Sequence, residues 1–278
     1  MKKILVTTDF STHSKAGLRF AIQLAALTDV DLIFFHCYQA LIPTTIHRER
    51  INNAMREQTE AHLQQLKNYV ENLYKSMKVA PKAYRWVIME DLSPENAILG
   101  CAARNACDYI CISTRGGGTL KKIIGTNASN IITRSSVPVI VVPYTYRVHT
   151  IKKILYASDL ENINSEMSKV VRFAQSLAVK VDLAHFYYPA NISLDWESLM
   201  AKWWKKHKCL DRIFLQQLQL DEDVVGQLNH LTKKVKPSII IFFTQTNQTW
   251  FDKLFRSSRS EGHSFVTKTP MLVLRKTG

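Results

Sequence analysis

The sequence predicts an α/β protein of two tandem doubly wound domains, each built on a five-stranded, mainly parallel sheet. Three observations predict it. Short continuous apolar runs alternate with segments of helical period, as buried strands do between crossover helices. The pattern occurs twice along the chain. A length of 278 residues also suffices for two domains of ordinary size, each with its own core.

The first copy opens on Lys3-Ile4-Leu5-Val6-Thr7-Thr8-Asp9-Phe10-Ser11, an apolar strand that ends in an acidic turn. The second opens on Lys153-Ile154-Leu155-Tyr156-Ala157-Ser158-Asp159-Leu160-Glu161. A helical stripe follows each: Ala16, Phe20, Leu24 and Leu27, then Val170, Phe173, Ala174 and Leu177. Next come the strand-like runs Val30–His36 and Val181–Phe186. A long polar helix near 48–78 continues the first copy, and a shorter one near 193–208 the second. Both copies finish alike, with Asp108–Ser113 matching Ser238–Phe243 and Val137–Val142 matching Thr269–Leu274. Pro143–Thr150 is the junction, which gives domains 1–146 and 147–278.

Composition narrows the class. Hydrophobic content of 46% with 22% charged residues describes a soluble globular chain. No run approaches the roughly 18 apolar residues of a membrane span, and no signal peptide is evident, so a cytoplasmic location is expected. The five cysteines are odd in number and mostly in apolar context, which points to packing rather than a metal or disulfide. Net charge is +14, with 18 Lys+Arg against 11 Asp+Glu in residues 1–147 and 19 against 12 in residues 148–278. The charge is thus spread evenly and is no polybasic tail. Its densest run is Lys202-Trp203-Trp204-Lys205-Lys206-His207-Lys208. Such a run could grip single-stranded nucleic acid, or its tryptophans could pack while its lysines face water. No nucleic-acid motif accompanies it, which favours the packed helix.

Four of the nine glycines lie in one window, Gly116, Gly117, Gly118 and Gly125, between an apolar run and a helix. A glycine cluster there lets backbone N–H groups approach a phosphate closely. It could also serve only a tight turn. No P-loop is present, and a Rossmann fingerprint would follow the first strand rather than the fourth. In a flavodoxin-like order the first and fourth strands lie side by side where strand order reverses, and ligands sit outside the carboxyl ends of strands at that point. Asp9 ends the first strand and the glycines follow the fourth, so both should border one crevice. Gly125-Thr126 would begin the next helix, whose free N–H groups and dipole favour phosphate. Asp9 could instead cap a helix beginning near Ser11.

These residues resemble the universal stress protein family in its tandem two-domain form, with the adenine nucleotide alpha hydrolase-like fold. The resemblance rests on Ile4–Ser11, Phe35-His36-Cys37, Asp108 leading into the glycines, and Gly125-Thr126 followed by Val137–Val142. ATP-binding members carry glycine, two residues, glycine, nine residues, glycine, then Ser or Thr. Here Ser113 stands for the first glycine, and eight residues separate Gly116 from Gly125. The resemblance implies ATP, with or without Mg, in the first domain only. The implied contacts are Thr8, Asp9, the Cys37 backbone, Ser113, Arg115, Gly116, Gly117, Gly118, Gly125, Thr126 and Asn127. Asp9 would accept hydrogen bonds from ribose or adenine, and Cys37 would meet the adenine edge.

The second copy keeps the scaffold without the glycines. Thirteen positions before Pro138 stands Gly125, whereas thirteen before Pro270 stands Ser257. Its loop Thr244–Trp250 holds no glycine. A nucleotide-binding stress-response protein with a structural second domain is therefore the first expectation. The alternatives are a nucleotide-independent interaction scaffold and, ranked last, a slow ATPase, since no general base or metal cluster accompanies the loop. By the same resemblance the two halves would pair as a pseudo-dimer through strands 137–142 and 269–274, and homodimerisation is compatible with it. Protein partners are expected but not identified, and no membrane or nucleic-acid partner is.

Overall fold

The structure, a computed structural model, describes residues 2–40, 48–114, 126–187, 196–206, 208–217, 224–244 and 267–276. They form two compact units, one reaching Val148 and the other beginning at His149.

In the first unit β1 (Lys2–Thr7), β2 (Val30–Tyr38), β3 (Tyr84–Glu90), β4 (Tyr109–Ser113) and β5 (Val139–Val142) alternate with four helices. These are α1 (Lys15–Leu27), α2 (Arg48–Met77), α3 (Pro94–Arg104) and α4 (Thr126–Arg134). The strands lie in the order β3-β2-β1-β4-β5, all parallel. In β1, Ile4, Leu5 and Val6 are buried because strands flank it on both sides and helices cover both faces. Cys111 is buried in β4. Helix α1 turns Ala16, Phe20 and Leu24 inward, but Leu27, in its final turn, is 54% exposed.

The second unit repeats the plan with β6 (Lys153–Ala157), β7 (Lys180–Tyr187), β8 (Leu210–Gln217), β9 (Ile239–Thr244) and β10 (Met271–Arg275). Its helices are α5 (Ile163–Ser176), α6 (Trp196–Lys206) and α7 (Val224–Val235). The parallel order is β8-β7-β6-β9-β10. Asp182, fully buried on β7, is held by Arg212 at 2.8 Å and Lys153 at 3.5 Å. A buried carboxylate persists only with such partners.

Two strands had no individual sequence signal. β3 and β8 carry charged residues and are mostly half-buried, so they read as neither apolar runs nor clean alternation. Helix α6 also splits the expectation for its tryptophans. Trp203 is buried and donates to Asn164 Oδ1 at 3.2 Å, whereas Trp204 is 50% exposed.

Candidate functional site

At the carboxyl ends of β1 and β4, where the strand order of the first unit reverses, lies a cavity of about 300 Å³. This is the crevice position that open parallel sheets offer to ligands, and the volume is at the small end for a ligand pocket. The end of β1 contributes Thr7, Thr8 and Asp9, and the following turn contributes Ser11, His13 and Ser14. Phe35 and Cys37 enter from β2, and Ile112 and Ser113 from β4. Pro94 and Ile98 come from the start of α3, and Asn127, Ala128 and Ile131 from the start of α4. Polar groups thus collect on the β1 side, while aliphatic side chains from β4, α3 and α4 supply apolar wall. Helix N-termini open toward this end because each helix returns antiparallel to its strand, and their partial positive charge favours an anion.

The β1 turn is held in one conformation from several directions. Phe10 sits in the left-handed region at φ 61°, which is uncommon for a bulky residue. Its N–H donates to Thr8 Oγ1 at 3.0 Å, and Ser11 N–H donates to Asp9 Oδ1 at 3.1 Å. The Ser11 hydroxyl also donates to Asp9 Oδ1 at 2.6 Å. Beneath the turn, His36 Nδ1 donates to the Thr8 carbonyl at 2.8 Å, and the Phe10 ring lies 4.1 Å from the His36 ring. Burial, reinforced by neighbouring His62, pulls the His36 pKa below the ordinary value despite the Thr8 contact, so its neutral form is favoured.

Several expected site residues are brought together, and their side chains differ in what they can offer. Asp9 lies exposed at the cavity and does not cap α1, which begins four residues beyond Ser11 with Ser14 at its N-cap. Thr8 Oγ1 is engaged by Ser14 Oγ at 2.8 Å. Ser113 Oγ accepts from Gly17 N–H at 2.7 Å and donates to the Ser14 carbonyl at 3.0 Å. Gly17 belongs to the first turn of α1, whose N–H groups lack helical partners, so Ser113 caps that helix from another strand. A Cβ at Gly17 would lie 2.7 Å from Ser113 Oγ, which is why glycine is required there. The Cys37 thiol, pushed up to about 11 chiefly by burial and next by Asp91, stays protonated and donates to the Asp91 carbonyl at 3.6 Å. Asn127 is exposed on the first turn of α4, and Thr126 is the first residue of that helix. Arg115, Gly116, Gly117, Gly118 and Gly125 lie outside the described residues, as does Ser257 of the second copy.

Sequence reasoning missed His13, Ser14 and the contribution of α3. A signal for α3 exists, because Ser93-Pro94-Glu95 is a helix-start pattern, and Ser93 Oγ does accept from Asn96 N–H at 3.4 Å. For His13 there was none.

The second unit builds the same turn. Leu160 has φ 67°, its N–H donates to Ser158 Oγ at 3.0 Å, and Glu161 N–H donates to Asp159 Oδ1 at 3.2 Å. His185 Nδ1 donates to the Ser158 carbonyl at 2.8 Å. What surrounds it differs. Lys276, its side chain 4% exposed, donates to Asp159 Oδ2 and to Glu161 Oε2, the latter at 2.8 Å. Strand register puts Phe243 where Ser113 stands in the first unit, since Phe243 pairs with Leu274 as Ser113 pairs with Val142. Met167 takes the position of Gly17. Below the turn, Ser158 donates to the Tyr156 hydroxyl, which donates to Glu166 Oε2. Burial pushes the Glu166 pKa up and outweighs the Tyr156 hydrogen bond that opposes it.

All five cysteines are free thiols, and among the described residues no three His, Cys, Asp or Glu gather in a metal-binding group. No described helix is long and apolar enough to cross a membrane.

A model of the universal stress protein family matches residues 1–143. A universal stress protein from Archaeoglobus fulgidus DSM 4304 has a solved structure similar to this chain over 98% of both chains, at TM-score 0.70 and 13% identity. A functionally unknown protein from Pseudomonas aeruginosa PAO1 is similar over 99% of this chain and 92% of its own, at TM-score 0.59 and 14% identity. Identities this low show a common fold. No curated protein matches the sequence significantly.

Proposed function

This chain belongs to the universal stress protein family, and from that premise we propose that its first unit binds an adenine nucleotide as the input of a stress-response regulator. The observation that carries the reading is the cavity at the β1–β4 crossover, with Asp9 on its polar side and aliphatic wall opposite. An adenine ring needs apolar faces, and a ribose needs hydroxyl acceptors, so the two sides fit the two parts of a nucleoside. The volume suits a nucleoside. Phosphates would extend toward the N-terminus of α4 and the segment holding Gly116, Gly117, Gly118 and Gly125. Asp9 would accept from ribose hydroxyls, and Cys37 would act through its backbone. ATP, with or without Mg, is the proposed form. The nucleotide supplies a bound phosphate group, and the role assigned to these residues is recognition rather than catalysis.

The second unit is assigned a structural role. Its acidic turn already holds Lys276 between Asp159 and Glu161, and Phe243 and Met167 stand where the first unit has Ser113 and Gly17. One observation favours a nucleotide-independent scaffold instead: the Ser113 hydroxyl is engaged within the fold.

Calorimetric titration and thermal melting of the full chain with ATP decide between them. Ligand at 100 times Kd adds about 2.7 kcal/mol, which raises Tm by several degrees. Asp9→Ala is expected to remove about half of that rise, and Gly125→Val most of it. Absence of any ATP effect on the wild-type chain overturns the reading in favour of the scaffold.

A further inference from the structure

Helix α6 presents a second feature that nucleotide binding leaves unexplained. Its two adjacent tryptophans point to different environments, Trp203 buried and Trp204 half exposed. Trp204 is the single exposed large hydrophobic residue among the described residues of the second unit. Lys202, Lys205 and Lys206 are also exposed on this helix, Lys205 being next to Trp204 in sequence. Lys208 follows the helix end, and Lys180 at the start of β7 donates to the Lys208 carbonyl at 3.1 Å. None of these five lysines is paired with a carboxylate among the described residues. Elsewhere in the same unit Lys153, Arg212 and Lys276 do have acidic partners.

We propose that this solvent face binds single-stranded nucleic acid, with Trp204 as a stacking platform and the exposed lysines contacting phosphates along the strand. A solvent face that carries an exposed indole and ammonium groups with no carboxylate partner among the described residues offers both interactions that a single strand needs, a π-face for a base and cations for the backbone. A chain net charge of +14 supplies the accompanying long-range attraction. A lipid surface fits less well. An interfacial helix must bury a whole apolar face in the bilayer, and α6 already buries Trp203 within its own unit, leaving one exposed ring. The polar run in the sequence is therefore a packed helix on the Trp203 side and an anion-facing surface on the other.

The test is fluorescence anisotropy of a labelled oligothymidylate of about 20 nucleotides, titrated with the full chain at about 50 mM salt. Wild-type protein is expected to saturate the signal. Trp204→Ala should weaken binding about ten-fold, while Trp204→Phe keeps most of it. Replacing Lys205 and Lys206 together by Gln should lower the steepness of the log affinity–log salt plot by about 1.4. Asp9→Ala should change nothing, which separates this site from the proposed nucleotide site. Absence of binding overturns the proposal, as does Trp204→Ala binding like wild type. Binding to phosphatidylserine vesicles without binding to the oligonucleotide overturns it in favour of a membrane. If Trp204→Ala lowers the melting temperature, the lysine pair decides, and unchanged affinity and salt dependence there overturn the proposal equally.

Discussion

The β1 turn of the first unit and the β6 turn of the second share a backbone and differ in electrostatic surroundings. Phe10 and Leu160 adopt the same left-handed conformation, and a histidine on the neighbouring strand holds each turn by donating to a backbone carbonyl. Yet Asp9 lines a cavity, whereas Asp159 holds a nearly buried lysine. Duplication preserved the part of the turn that backbone hydrogen bonds determine. It did not preserve the surroundings of the turn, which depend on residues distant in sequence: Lys276 in the second unit, Ser113 or Phe243, and Gly17 or Met167.

The infill of the second unit is the strongest place to break this comparison. Met167 is 1% exposed, and Met167→Ala should cost about 3 kcal/mol, lost transfer energy plus the cavity left behind. Gly17→Ala at the matching position acts through a different mechanism. Its new Cβ would strike a hydroxyl fixed by two hydrogen bonds, costing about 2 kcal/mol, and the gain in helix propensity returns about 1. Urea midpoints of the full chain measure both, and a larger loss for Gly17→Ala would mean that the units are packed the other way round.

The two aspartates should then dissociate function from stability. Asp159→Ala leaves Lys276 with Glu161 as its remaining acidic partner and should cost about 2 kcal/mol, without altering ATP affinity. Asp9→Ala should weaken ATP about ten-fold, or about 1.4 kcal/mol, with little change in the urea midpoint. Titration calorimetry and urea denaturation on both variants complete the cross. A loss of ATP affinity in Asp159→Ala would assign nucleotide binding to the second unit.

Much of this division was legible in the sequence. Buried parallel strands such as Ile4–Val6 and Ile239–Phe243 announce themselves because two covered faces demand continuous apolar residues. The strand–turn junction at Asp9 follows from the same pattern. β3 and β8 escaped because half-burial blurs their period. The occupation of Asp159 was also invisible, since Lys276 is 117 positions away and reads as an ordinary solvated charge. Ser113 was expected at the ligand, and only three-dimensional contact reveals that its hydroxyl caps α1. The exposed Trp204 likewise could not be told from Trp203, because adjacent helical positions carry no label for which one faces the core.

The smallest expected difference between the units is in their response to acid. His36 and His185 both have pKa values lowered by burial. The unfolded chain takes up these protons near the ordinary value of 6.5, while the folded chain resists until a lower pH. Between those two limits the unfolded state binds more protons, so stability falls as pH falls below 6.5. The slope is at most about 1.4 kcal/mol per pH unit for each group. Burial lowers both, against the raising influences of Thr8 and Asp9 on His36 and of Ser158 and Asp159 on His185, and His36 alone is lowered further by its neighbour His62. The acid limb should therefore owe more to His36. Glu166, whose folded pKa is raised, contributes a slope of opposite sign, with stability lost as pH rises, and that background is common to wild type and both histidine variants. Comparing urea midpoints at pH 7.5 and 5.5, His36→Gln should flatten the difference more than His185→Gln does. Equal flattening would show that His62 has no effect on its neighbour and that the two turns titrate alike.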